Sequence, residues 1–161
     1  VITAAQADFL RKSYTAGVAS QHPWPGFAAA ETALESAWGT DELAVKGNNL
    51  FGQKSGGSTA GGKCIYCDTK EEGAHGHWYT EHGVAWPIFA TWTDSYNARI
   101  ALLRRLAPQY PATYGAALDA KTGQDFIILV SRKWSTWTER AAAALAIYNS
   151  HRDLFTTGDK Q

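Results

Sequence analysis

The chain has 161 residues, which suits one compact domain built around a single core. Fifteen basic and fifteen acidic residues cancel, and no stripe of Lys and Arg extends beyond Arg104 and Arg105, so nothing predicts a nucleic-acid partner. No apolar run reaches the roughly 18 to 20 residues of a membrane span, and "VITAAQADFLRKSY" lacks the charged-then-apolar layout of a signal peptide; the expectation is no membrane span and no signal peptide in this chain.

Thr3 followed by Gln6 predicts a capping box that opens a helix running to about residue 20. "QHPWPG" then breaks the chain with two prolines and a glycine. A second helix is expected from about Phe27 to Trp38, with Phe27, Leu34 and Trp38 on one side, and a short helical turn from Thr40. Residues 52–93, with "GGSTAGG", "CIYC" and "HGHWYTEHG", predict loops and a short hairpin. Asp94 is the expected N-cap of a helix carrying "ARIALLRRL", which ends before Pro108. Further helices are expected at about 111–119, 123–133 and 138–149. The fold class is therefore α+β, mainly α. A helical lobe (about 1–51 and 94–155) and a small β/loop lobe (about 52–93) form one domain over 1–161, with the ligand cleft between them.

Glu31 and Glu35 are four residues apart on the second helix and flank its apolar side. One reading is a structural pair in which a Lys or Arg elsewhere neutralises each carboxylate, because structural ion pairs outnumber catalytic ones. The other is catalytic. A carboxyl against aromatic carbon, with a second carboxylate beside it, has poor solvation and like-charge repulsion as two reasons to keep its proton and act as a general acid. Seven Trp, seven Tyr and six Phe fill cores in most cases but also build flat walls for sugars.

Cys64 and Cys67, with no other cysteine in the chain, pair with each other, stay reduced, or join His75 and His77 as four zinc-type ligands. A local disulfide or free thiols are preferred, because H-x-H after a short gap is a loose pattern. The expectation is no metal and no cofactor. The lone residues His22, His82 and His151 are read as surface or core residues.

"ALESAWG" followed by "LAVKGNNLFGQK" closely resembles the signature of family 73 glycoside hydrolases, the N-acetylglucosaminidase domains of peptidoglycan hydrolases, in which AQAxLESGWG runs into NNLFGIK. "TKEEGAHGHW" with "FATWTDS" is similar to the family's hairpin segment, and "KWSTWTERAAAALAIY" to its YATDPxYAxxI helix entry. The resemblance implies a lysozyme-like helical domain with a small β-hairpin lobe flanking a substrate cleft, and no metal requirement. It implies that Glu35 is the catalytic acid. Glu71 is the second carboxylate, with Glu72 one step away. Trp134 stands where the family has a tyrosine, so a phenolic oxygen is missing there. Glu31 stands where the family commonly has Gln, which implies either an upward push on the Glu35 pKa or a simple salt bridge.

Trp78, Tyr79, Trp134 and Trp137 are the candidate sugar-facing walls, and Asn49 and Phe51 belong to the segment shaping the cleft beneath Glu35 and are counted with the substrate-binding residues. The implied activity is cleavage of the β-1,4 bond on the reducing side of N-acetylglucosamine in peptidoglycan glycan strands. A muramidase, a lytic transglycosylase or a catalytically impaired wall-binding module are the alternatives. The implied place of action is the periplasm or the cell exterior. An inhibitor or immunity partner is not specified by the sequence.

Overall fold

A computed structural model describes residues 2–55, 63–73 and 76–155. In chain order it contains α1 (Ala4–Ala19), α2 (Pro25–Glu35), α3 (Glu42–Gly47), β1 (Cys64–Glu72), β2 (Trp78–Pro87), α4 (Trp92–Leu106), a π-turn (Pro111–Gly115) leading into the short α5 (Ala116–Leu118), then α6 (Gly123–Trp134) and α7 (Arg140–His151). The architecture is the expected one: a mainly helical body with a small antiparallel β lobe.

The capping box at the start of α1 forms as predicted. Thr3 accepts from the Gln6 amide at 3.2 Å, and the Gln6 side chain accepts from the Thr3 amide at 2.9 Å. A second capping box corrects the expected start of α4. Thr91 is the N-cap, and Asp94 is the third helical residue, reaching back to the Thr91 amide at 3.1 Å. Ser, Thr and Asp all satisfy orphan helix donors, so sequence alone favoured the wrong member of this pair.

The central element is α2. Ala28, Ala29, Ala30 and Ala33 are 0–1% exposed, and α1, α6 and α7 all pack against the helix. Such small side chains let neighbours approach on every side, so α2 has no solvent face along this stretch. It also ends earlier than expected, at Glu35 rather than Trp38. Ala37, Trp38 and Gly39 take positive φ values of 47°, 60° and 79°. Left-handed backbone costs roughly 1–2 kcal/mol per non-glycine residue, so the turn is held from outside. The Ser36 hydroxyl takes the Gly39 amide at 2.8 Å and donates to the Thr32 carbonyl at 2.6 Å. A β-carbon at Gly39 would lie 2.6 Å from the Phe9 ring, so only glycine fits. This turn leaves Glu35 at the very end of a buried helix.

The β lobe is a two-stranded hairpin with Cys64 opposite Pro87 and Glu72 opposite Trp78, interrupted by a bulge between Cys67 and Thr69. Its base is tied to the helical body by backbone and side-chain bonds. Phe89 N donates to Gly47 O at 2.8 Å, and Asn48 Nδ2 donates to Phe89 O at 2.9 Å.

His22 sits in the core between Tyr96 and Phe126, edge-on to both rings, and its Nδ1 accepts from the Trp24 amide at 3.0 Å. Burial is the main reason its pKa falls to about 3, against an opposing pull from Glu31. The unfolded chain therefore takes up a proton on His22 near pH 6.5 that the folded chain refuses until about pH 3. Stability present above pH 6.5 is lost as the pH falls through that window, with a slope of up to about 1.4 kcal/mol per pH unit. Glu31, whose folded pKa is lowered, adds acid sensitivity only below its ordinary range near 4.5. Urea unfolding between pH 6.5 and 4.5 should show this slope in the wild type and a flatter one in His22→Gln; equal slopes would place the sensitivity elsewhere.

Candidate active site

Glu31 and Glu35 point away from α2 into a cluster of four charges. Glu31 is fully buried, and its Oε1 accepts from Arg140 Nη2 at 2.7 Å and from Arg99 Nη2 at 3.0 Å. Arg140 is also fully buried. It donates from Nη1 to Ser131 Oγ at 2.7 Å and from Nε to Glu35 Oε1. Burial alone would raise the Glu31 pKa, but the two guanidiniums more than offset it and hold the carboxyl below its usual range. Burial likewise opposes the charge on Arg140, and the two carboxylates reverse that effect and raise its pKa.

This arrangement corrects one expectation. Glu31 exerts no unshielded repulsion on Glu35, because two arginines stand against it. The salt-bridge reading of the pair is the one the structure shows. Neither arginine was singled out in the sequence. Arg99 lies among Tyr96, Ile100 and Leu103 on the buried face of α4, and a cation in an apolar stripe is the signal that could have flagged it.

Glu35 differs from Glu31 in reaching solvent: its side chain is 22% exposed. It lines a cavity of about 800 Å³ together with Gly52, Lys54, Glu71, Trp86 and Trp134. Gly52 has φ +59°, and a β-carbon there would lie 3.9 Å from Glu35 Oε2, the oxygen Arg140 does not bind. The turn thus leaves room beside that oxygen. Glu71 comes from β1 on the other lobe, and its Oε1 lies 2.8 Å from Lys54 Nζ. Lys54 also binds Glu81 Oε2 at 2.7 Å. Glu72 follows on the same strand, and its side chain is outside what the structure describes. A second cavity of about 1010 Å³ continues past Glu71, Trp134 and Ser135 to Thr136, Trp137 and Ala141. The two share Glu71, Trp134 and Ser135, so they adjoin as two parts of one groove.

Trp134 is a wall of both parts of the groove. Its ring stacks on the Arg99 guanidinium at 3.8 Å, and its indole N–H donates to Phe51 O at 3.1 Å. The N–H is therefore already used inside the protein. Trp137, 43% exposed, lines the outer part of the groove. Trp78 and Tyr79 are exposed on β2 and are not among the residues lining either cavity. Asn49 and Phe51, expected among the substrate-binding residues, are 1% and 0% exposed and cannot touch a ligand. Asn49 instead braces the turn, donating to Gln53 O at 2.9 Å and accepting from Gln53 N at 3.0 Å, while Phe51 packs edge-on against Tyr96. Trp86 and Lys54, not singled out in the sequence, do line the groove.

Of the two preferred cysteine readings, disulfide or free thiols, the structure shows the second. Cys64 and Cys67 lie on β1 in a regular stretch of register, opposite Pro87 and Val84. Residues three apart on a strand project to opposite faces with α-carbons about 10 Å apart, beyond the reach of a disulfide. Both are free thiols. Among the described residues no group of three or more His, Cys, Asp or Glu could hold a metal ion. His77 is exposed, and His75 lies outside the described residues.

Two outcomes follow from this geometry. Arg140→Met strips Glu31 and Glu35 of a shared cation and should cost about 3–5 kcal/mol in urea unfolding, the range for breaking a buried pair. Alkylation of the denatured chain without reductant should modify both Cys64 and Cys67, and protection that disappears only after reduction would contradict the strand geometry.

Solved structures with the same fold include the catalytic domain of the autolysin Auto from Listeria monocytogenes. It is 23% identical, with 96% of this chain and 88% of that chain covered and a TM-score of 0.73. A peptidoglycan hydrolase mutant from Sphingomonas sp. A1 is 17% identical, with coverage of 94% and 99% and a TM-score of 0.75. A C-terminally truncated glycoside hydrolase domain from Salmonella typhimurium FlgJ is 21% identical, with coverage of 92% and 98% and a TM-score of 0.62. At these identities the likeness shows the fold. No curated protein matches the sequence significantly. The model of the glucosaminidase family, the mannosyl-glycoprotein endo-beta-N-acetylglucosaminidases, matches residues 12–150, and the chain belongs to that family of glycoside hydrolases.

Proposed function

We propose that this enzyme cleaves the β-1,4 bond on the reducing side of N-acetylglucosamine in peptidoglycan glycan strands, outside the cytoplasm, with Glu35 as the proton donor and Glu71 as the second carboxylate. The carrying observation is that these two carboxyl groups, from different lobes, line one groove that continues past Trp134 toward Trp137. An extended polymer needs an open groove of this kind, and glycoside hydrolysis needs two carboxyl groups flanking the bond. The wall substrate is supported by the solved structures of the same fold, which include an autolysin and a peptidoglycan hydrolase.

Arg140 occupies Glu35 Oε1 and so fixes the carboxyl plane, and Oε2, beside Gly52, is the atom that carries the proton to the leaving oxygen. Ser131 and Glu31 occupy the rest of the Arg140 guanidinium, which leaves it no freedom to follow a moving substrate. Glu71 stabilises positive charge on the sugar ring or activates the water that attacks it. Trp134 and Trp137 supply apolar surface for sugar rings. The two lobes act as a single catalytic domain.

Glu35→Gln should lose about 10³-fold or more of the rate at which reducing ends are released from purified sacculi, because the general acid and the charge it develops are both removed. Its thermal midpoint should fall far less than that of Arg140→Met, because Arg140 keeps Glu31 and Ser131. Retained turnover in this variant would reject Glu35 as the donor. Mass spectrometry of wild-type products should show N-acetylglucosamine at the new reducing ends. N-acetylmuramic acid there would mean a muramidase, and its anhydro form a lytic transglycosylase.

A further inference from the structure

The turn that ends in Gln53 does more than floor the groove. Asn49, buried in the core, bonds both the amide and the carbonyl of Gln53, at 3.0 and 2.9 Å. Two residues on, the Ser55 amide donates to Ala85 O on β2 at 3.0 Å. Lys54 is therefore held by its backbone from both sides, by the helical body through Gln53 and by the hairpin through Ser55. Its side chain lines the groove and ends between two carboxylates, Glu71 at 2.8 Å and Glu81 at 2.7 Å, with the Trp86 ring 5.9 Å away. The register explains how one ammonium meets both acids. Thr69 pairs with Glu81 and Glu71 with Tyr79, so Glu71 and Glu81 fall on the same face of adjacent strands.

We propose that Lys54 is the positioning residue of the second carboxylate: it takes Glu71 Oε1, turns the carboxyl into the groove opposite Glu35, and uses Glu81 as a counterweight anchor. This rests on the reading of Glu71 as that carboxylate. The physical need is specific. Glu71 sits at the far end of a two-stranded hairpin, and isolated hairpins hold their geometry poorly. An ion pair between such partly exposed groups adds little to stability. Its service is to fix a direction, and a misplacement of about 1 Å at a reacting group can lower a rate by about 100-fold. Glu81 explains why one cation suffices for two acids. It balances the ammonium's pull and keeps Lys54 from swinging toward the helical wall.

The test uses four variants of the whole chain on soluble glycan fragments released from sacculi. Lys54→Met keeps the stem and removes the charge, and should lower kcat by about 10- to 100-fold with KM within about twofold. Lys54→Arg, which keeps a cation, should recover most of that loss. Glu81→Gln should lose several-fold less than Lys54→Met, since Lys54 still reaches Glu71. Thermal midpoints of all variants should stay close to wild type, which separates misplacement from misfolding. Wild-type kcat in Lys54→Met, or a loss carried wholly by KM, would overturn the assignment. So would a Glu81→Gln loss equal to that of Glu71→Gln, which would make Glu81 the reacting carboxylate. Full activity in Glu71→Gln would instead reject the underlying reading of Glu71 and is distinguishable from both.

Discussion

The cluster of Glu31, Glu35, Arg99 and Arg140 joins three helices that are far apart in the chain: α2, α4 and α7. Bringing four charges out of water is expensive, and the expense is recovered only when geometry is close and the remaining donors are satisfied. Arg140 meets that condition, with Nε, Nη1 and Nη2 each bonded. Arg99 meets it only in part. Its Nε and Nη1 lack hydrogen-bond partners, and the rings of Phe51 and Trp134 lie over the guanidinium at 4.6 and 3.8 Å instead. Aromatic contacts of this kind help a cation remain in the interior while one carboxylate, Glu31, carries the direct ion pair.

The consequences spread outward from that cluster. Alanines on α2 let α1, α6 and α7 pack closely around it, and Arg140 from α7 and Arg99 from α4 reach Glu31 at its buried side. Trp134 both covers Arg99 and forms a wall of the groove, so its indole joins the buried charges to the groove surface. Glu35 is the one member with a solvent-facing side, because α2 stops there and turns through left-handed backbone. Arginine engages one of its oxygens and the groove meets the other. The enzyme is thereby given a carboxyl group of fixed orientation at the end of a helix that cannot shift.

The hairpin lobe works by different physics. The tip of its second strand is exposed, Trp78 to Gly83, and the lobe is bonded to the body through backbone bonds at its base and through Lys54 at the groove. The bulge at Asp68 is stabilised by Gly83 N at 3.0 Å and His82 Nδ1 at 2.9 Å. These contacts are local and solvent-accessible, so the lobe is the less rigid of the two in free-energy terms. Glu35 is thus held by the helical body on one side of the groove, and Glu71 is tethered through Lys54 on the other.

Local chemistry made the element order readable. Capping residues, proline breaks and apolar spacing act over three or four positions, so α1, α6 and the hairpin stand close to where they were expected, and the string around Glu35 carried the family. Two errors were also local. Thr91 and Asp94 both cap well, and the left-handed run after Glu35 has only Gly39 to announce it. The remaining differences are not local at all. Arg140 meets Glu35 across 105 residues of chain, and Trp134 meets Phe51 across 83. Whether Asn49 and Phe51 face substrate or core depends on what packs above them, and whether Cys64 can reach Cys67 depends on strand alternation. Sequence determined which side chains exist at which spacing, because propensity and capping are short-range. Only the tertiary structure decided which charges share a site, because ion pairing and burial act through space between segments whose order along the chain carries no record of their contact.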